Sequence, residues 1–550
     1  MAAGKGAPPN DPKADIARLV DEARPIGDGG DEGDAPAAKR RKAASGSKAP
    51  RGGKGTAKAT KATGDKPEAA DKAKKRHRTP QRDSLMALTE DCDLWHNADG
   101  DAFATFLKGD HRENWPVRSD IFRRWLCARA YEKTGAVPGS QAVEDTLRVL
   151  EARATTEGRE ATPWLRVGAQ NGFLYIDLCD AGWNVVEIGP KGWHIIQGHG
   201  LPFVRYRAMR ALPVPEGGSG IETLRRFVNV ASDEDFALVV AWLVTALRER
   251  GPYPILVVNG EQGSGKSTFS RVLRTLVDPN VAPIRSVPRD DRDLIISANN
   301  AHVLAMDNLS KVDAWLADGL CRLASGAGHS TRKLTTDSDE AIFMAARPII
   351  LNGIPALTDR ADLASRAVTV RLTPIPDDER RAEDDFWADW ERMQPEVFGA
   401  LCDALSAAVG NIASVRLDRA PRLADFTKWM TAAEPGLGWE AGTFAQAYGS
   451  NRREVSEHAF EADPVAVAVV AFVTGRAEGW EGTATDLLKA IDGITMESVK
   501  RLRSWPQSPQ GLGNRLERCA PLLRERGFLF EKRHSGIRTI RIVPIARREA

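Results

Sequence analysis

The stretch Pro254-Ile255-Leu256-Val257-Val258-Asn259-Gly260-Glu261-Gln262-Gly263-Ser264-Gly265-Lys266-Ser267-Thr268 decides how the remainder of this 550-residue chain is read. Its first six residues form a short apolar run rich in β-branched side chains, the composition of a buried strand. A glycine-punctuated loop follows, and residues 269–276 then place apolar side chains at helical spacing. Strand, loop and helix in that order, with GxxxxGK[ST] between them, is the pattern of a phosphate-binding loop. Gly260, Gly263 and Gly265, with Ser264 between them, let consecutive backbone N–H groups turn inward around phosphates. Lys266 offsets charge on the β- and γ-phosphates. Ser267 supplies a hydroxyl for Mg2+ at the helix N-terminus, where Thr268 completes the first turn. The expected ligands are ATP and Mg2+.

Working outward, Val303-Leu304-Ala305-Met306 is a second apolar run, and it ends in Asp307. A carboxylate at a strand end beside a phosphate loop can hold the Mg2+ shell together with Ser267. A third run, Ile349-Ile350-Leu351, ends in Asn352, a polar residue placed to sense a γ-phosphate or to orient water. Taken alone, Asn352 is equally a turn residue before Gly353. Arg366 follows, either as a surface ion-pairing residue or as a side chain reaching a neighbouring subunit's nucleotide. Between the second and third runs lies the glycine-bearing segment 325–337, in which Arg332 and Lys333 are candidates for DNA phosphates; an ordinary solvated loop is the other reading.

This order of motifs resembles the motor of the superfamily 3 helicases, a branch of the AAA+ ATPases. The phrases Gly-Glu-Gln-Gly-Ser-Gly-Lys-Ser, Met306-Asp307-Asn308-Leu309-Ser310 and Ile350-Leu351-Asn352-Gly353-Ile354 are similar to phage and mobile-element primase-helicase-type ATPases, over about residues 94–545. The resemblance implies an ATP-dependent DNA helicase or translocase, self-associated into a ring such as a hexamer. Single-stranded or forked DNA would be its substrate, and a separate primase or replication protein its partner. In that family segment 325–340 would be a hairpin gripping DNA. One position departs from the wider class: Asn308 stands where a glutamate usually polarises the lytic water, and an amide is a poor general base. Asp337, Asp339 and Glu340 are the carboxylates available to replace it. A nucleotide-gated DNA-binding switch or loader is therefore carried as the alternative. A small-molecule kinase is disfavoured, because no acceptor-pocket signature is found.

Bulk composition agrees with a soluble, multi-domain protein: 42% hydrophobic, 28% charged and a net charge of +2. Six cysteines at 92, 127, 179, 321, 402 and 519 show no metal-ligand or disulfide spacing, which suits a reducing cytoplasm. The longest apolar run, residues 236–247, is too short to span a bilayer, so no membrane association is expected. Residues 1–83 contain no aromatic side chain and read as a disordered Ala/Lys/Gly-rich tail. Within it, residues 39–82 hold sixteen Lys/Arg against three Asp/Glu, a block that either contacts nucleic acid non-specifically or keeps the chain soluble.

The expected fold class is α/β. It comprises a mixed α/β N-terminal domain at 84–215, an AAA+-like P-loop core at 216–400, a helical connector at 401–462 and a winged-helix module at 463–550. In the N-terminal domain Phe103, Phe106 and Leu107, then Ile121, Phe122, Trp125 and Leu126, follow helical spacing, and segments 164–167, 173–178, 185–188 and 193–196 read as hairpin strands. A structural or oligomer-collar role is the default there. In the C-terminal module three helices, at 465–473, 483–491 and 510–526, precede two alternating strands joined by Arg533-His534-Ser535-Gly536. Arg515, Arg518, Lys532, Arg533 and Arg538 are its DNA-contact candidates, although a winged helix also docks proteins.

Overall fold

The computed structural model of the protein describes residues 81–545 apart from 199, 219, 310, 328, 333–339, 344–345, 354–360, 418–420, 503 and 536. Residues 1–80 of the expected tail, and Lys333, Asp337 and Asp339, lie outside the described residues. The first helix, Gln81–Ala87, starts inside the stretch expected to be tail. Leu85 and Leu88 anchor it by burial, and Gln81 Oε1 accepts the Gly139 N–H at 3.3 Å.

Strands β1 (Asp93–His96), β2 (Ala102–Lys108), β3 (His111–Pro116) and β4 (Arg159–Glu160) form a sheet ordered β3-β2-β1-β4, with helices Asp120–Thr134 and Ser140–Thr156 between β3 and β4 in sequence. The helix expected at Phe103, Phe106 and Leu107 is therefore strand β2. Residues three apart on a strand point to opposite faces, and both faces are covered here. Phe103 stacks on Trp95 at 4.3 Å, whereas Phe106 meets Phe122 at 5.4 Å and Trp125 at 4.3 Å. A strand buried on both sides loses polar alternation, and what remains mimics a helical pattern.

Next come β5 (Val167–Gln170), β6 (Phe173–Asp177), β7 (Asn184–Gly189) and β8 (Gly192–Gln197), an antiparallel meander. Asn171 (φ 53°) and Gly172 (φ 81°) both take positive φ, the two-residue turn that matches strand twist. Val186 and Ile188 of this sheet share one hydrophobic cluster with Leu401 and Leu405 of the long helix Glu383–Asn411. Ser406 Oγ also donates to Gly189 O at 2.6 Å.

Six strands follow: β9 (Ile255–Asn259), β10 (Leu304–Leu309), β11 (His329–Arg332), β12 (Glu340–Phe343), β13 (Ile349–Gly353) and β14 (Ala367–Arg371). Four of them make a wholly parallel sheet ordered β10-β13-β9-β14, and β11 and β12 pair separately as an antiparallel hairpin. Every residue of β9 and β13 is buried, which explains their unbroken apolar runs. Helix Asp233–Ala246 is buried from Asp235 onward. Its apolar sequence therefore serves the core, and no described helix is long and apolar enough to cross a membrane.

A buried ionic cluster locks the far end of the helix Lys266–Val277. Asp278 lies within 3.2 Å of Arg166 Nη2 and 3.1 Å of Arg274 Nη2, and it accepts the N–H groups of His302 at 3.0 Å and Val303 at 3.1 Å, just ahead of β10. Burial pushes the Asp278 carboxyl up, but Arg274 and Arg166 outweigh it and hold the group at about 2.

The C-terminal region has its own core, in which Val465, Val469, Leu487, Leu512, Leu516, Ile540 and Ile542 are buried together. Helices Pro464–Val473, Ala484–Ile494, Glu497–Lys500 and Pro509–Glu525 pack with β15 (Trp480–Gly482), β16 (Phe528–Ser535) and β17 (Ile537–Pro544), in sheet order β15-β17-β16. Three features differ from expectation. The short helix Glu497–Lys500 makes a fourth where three were expected. Strand β15 is additional, and the hairpin ladder runs to Ser535↔Ile537, so Arg533 pairs with Thr539 within the ladder instead of forming the turn.

Candidate functional site

The glycine loop connects the C-terminal end of β9 to the N-terminus of the helix Lys266–Val277, where unpaired helix N–H groups and the helix dipole favour an anion. Gly263 (φ 85°) and Gly265 (φ 74°) sit in the left-handed region that glycine adopts without strain. Gly260 is required for a different reason: a Cβ there would lie 2.4 Å from Ser264 Oγ. That hydroxyl is tied to Glu261 O at 2.9 Å, so the loop holds itself in shape. Lys266 Nζ donates to Gly260 O and Glu261 O, each at 2.7 Å, and thus lies along the loop's own carbonyls. Thr268 is half-buried in the first turn.

Asp307, from β10, is brought against this helix. Its Oδ2 accepts Ser267 Oγ at 2.7 Å, and its Oδ1 accepts Asn308 N at 2.9 Å and Asn352 Nδ2 at 3.2 Å. A hydroxyl and a carboxylate side by side form a hard-oxygen pair that fits Mg2+, which takes few protein ligands and fills its octahedron with water and phosphate oxygens. Among the described residues no group of three or more His, Cys, Asp or Glu is arranged for a metal.

Asn352 is almost fully buried and bridges three elements. Besides Asp307, its Nδ2 donates to Lys266 O at 3.2 Å, and its Oδ1 accepts Ser270 Oγ at 2.6 Å. Both amide hydrogens are therefore engaged within the protein. Asn308 is exposed and adopts φ 57° at an irregularity in the β10–β13 pairing. Asparagine tolerates this left-handed conformation better than most side chains.

Arg366 lies elsewhere. Its carbonyl accepts Ile255 N at 2.9 Å, which puts it at the start of β9, the opposite end from the glycine loop; Nη1 donates to Asp362 O at 3.0 Å. Arg332 ends β11, and its side chain, like that of Glu340, is outside the description. In the C-terminal region Arg515 is paired with Asp463 at 3.0 Å, Lys532 with Glu517, and Arg533 with Glu481 and Glu531 at 3.8 Å. Arg518 and Arg538 are exposed and have no ion pair among the described residues.

Sequence reasoning missed Asn229, whose Nδ2 donates to Ser264 O at 2.9 Å and Thr373 O at 2.6 Å, stitching the glycine loop to the chain after β14. No motif surrounds it, and only the fold brings it to the loop.

A family profile described as the actinomycete integrative conjugative element replication protein matches residues 221–447, and one described as the AICE RepA C-terminal domain matches residues 465–550. No curated protein matches the chain. Among solved structures, the apo NrS-1 C-terminal region is 11% identical over 85% of this chain and 99% of that one, with a TM-score of 0.37. A structure titled SCCmec type IV Cch, active helicase, is 12% identical over 82% of this chain and 93% of that one, with a TM-score of 0.42.

Proposed function

We propose, from the premise that residues 221–447 and 465–550 belong to the replication-protein family of actinomycete integrative conjugative elements, that this protein is an ATP-dependent motor acting on DNA during replication of such an element. The observation that carries the reading is the convergence of Lys266, Ser267, Asp307 and Asn352 at one end of a parallel sheet, beside a helix N-terminus. Ser267 and Asp307 would hold Mg2+, whose chemistry is to neutralise and align phosphate oxygens. Lys266 exchanges the carbonyls of Gly260 and Glu261 for phosphate. Asn352 keeps Asp307 and the helix start in register, so it acts as a positioning residue. Arg366, remote from its own loop, suits action on a neighbour's nucleotide in a ring. The β11–β12 hairpin and the C-terminal helices with their strand pair, read as an AAA+ hairpin and a winged helix, are the DNA-facing parts, and Arg518 and Arg538, exposed and without an ion pair among the described residues, are cations open to phosphate there.

A second reading, a nucleotide-gated switch or loader, is favoured by Asn308 alone, because no carboxylate follows Asp307 to polarise water. The ATPase rate of the full chain with and without single-stranded DNA, at fixed salt, separates the two. Turnover that DNA stimulates and that Lys266→Ala abolishes is expected of a motor. Tight ATP binding without turnover, gained on Asn308→Glu, would favour the switch. Turnover that persists undiminished in Lys266→Ala, or ATP binding that does not need Lys266, would end both.

A further inference from the structure

The chain leaving β14 crosses the glycine loop as a strap, residues 372–380, and touches it repeatedly. A Cβ built on Gly260 would meet Leu372 Cβ at 3.3 Å, one on Gly265 would meet Ile375 Cδ1 at 3.2 Å, and one on Gly263 would meet Arg380 Nη2 at 3.4 Å. Asn229 fastens the strap by donating to both Ser264 O and Thr373 O, and Thr373 Oγ1 donates to Asn229 O at 3.1 Å. The strap therefore sets a guanidinium and a branched apolar side chain directly against the glycines that would cradle phosphates.

Nearby cations are committed elsewhere. Arg271 is held by Glu383 at 2.7 Å and lies over the Trp387 ring, and Arg381 is paired with Asp389. Arg380 is different: its one ion pair among the described residues is with Asp377, 3.1 Å away, whose side chain is 97% exposed. A pair this open to water is weak and readily exchanged. A nucleoside triphosphate carries more negative charge than Lys266 and one Mg2+ offset, so a further cation beside the loop has a ligand to meet. A planar guanidinium suits phosphate oxygens better than an ammonium.

We propose that Arg380 binds the phosphates of the nucleotide held by its own subunit, leaving Asp377 to do so, with Ile375 as the apolar wall of the same site. This deepens the nucleotide reading given above and rests on it.

The test is calorimetric binding of ATP and of ADP, without turnover, to the full chain and to Arg380→Ala and Asp377→Ala. Loss of a charge-assisted hydrogen bond predicts affinity lower by about tenfold or more for at least one nucleotide in Arg380→Ala. Asp377→Ala, which frees the guanidinium, should bind as well as the native chain or more tightly. A strap that merely props the loop would be weakened by both changes, and that result, or full affinity in Arg380→Ala, overturns the assignment. If the native chain binds neither nucleotide, the underlying nucleotide reading fails instead.

Discussion

Replacing Asn352 with alanine should uncouple the two halves of the candidate site without emptying it. The side chain makes three contacts: Ser270 Oγ at 2.6 Å, Lys266 O at 3.2 Å and Asp307 Oδ1 at 3.2 Å. The first is buried and the other two are partly buried, and a buried polar group stripped of its partner costs about 1–3 kcal/mol. Stability should therefore fall by roughly that amount, chiefly because the buried Ser270 hydroxyl loses its acceptor, whereas Lys266 O keeps its place in the helix ladder. The bond to Asp307 involves a carboxylate and is worth about 1.5–3 kcal/mol. If that alignment is needed only as the phosphoanhydride breaks, turnover should drop about 10- to 100-fold while ATP affinity changes little. Ser270→Ala removes one contact and spares Asp307, so it should lower stability by about 1 kcal/mol and leave turnover near native. Thermal denaturation and single-turnover ATP hydrolysis on the two variants decide the matter. Native turnover in Asn352→Ala, or an equal loss in Ser270→Ala, would refute the positioning role.

Two further outcomes concern the frame around the site. A Cβ added in Gly399→Ala would fall 1.9 Å from Glu216 O, a backbone atom, so the segment before residue 221 must shift off the helix Glu383–Asn411 and lose the bond from Glu216 N to Pro395 O. The expected loss is about 1–3 kcal/mol, and an unaltered melting temperature would show that this packing is not made. His302 supplies a pH dependence. Burial lowers its pKa from 6.5 to about 4, against the pull of Asp278, so folding excludes a proton that the unfolded chain would bind below pH 6.5. Stability present above that value should decline as pH falls from 6.5 toward 4, by up to about 3 kcal/mol, and His302→Gln should flatten the slope. Denaturant midpoints at pH 7 and 4.5 measure it, and an equal slope in both proteins would assign the effect to other groups.

What the sequence disclosed, and what it hid, follows from the range of the interactions involved. Lys266, Ser267 and the glycines are legible because the glycine loop is made by consecutive residues. Asp307 and Asn352 are legible because buried parallel strands leave apolar runs that end in polar residues. Asn229 and Arg380 reach the same loop only through the path of the chain after β14, and nothing in their neighbours announces it. Phe103 and Phe106 misled for a packing reason: aromatic residues on both faces of β2 erase the alternation that marks a strand. Arg515 reads as a DNA contact from composition, yet its guanidinium lies at 3.0 Å from Asp463, which caps the helix Pro464–Val473.

Asp278 receives side chains or N–H groups from β5's flank at Arg166, from the helix Lys266–Val277 at Arg274, and from just ahead of β10 at His302 and Val303. One carboxylate thus belongs to two regions that composition would separate near residue 215. Cutting the chain there would leave Arg274 and Asp278 facing solvent where Arg166 had sealed them, at the base of the helix that begins with Lys266. If the glycine loop binds nucleotide as proposed, the smallest piece that does so as the whole chain does should therefore include the meander sheet, since the carboxylate that anchors the loop's helix is closed from that side.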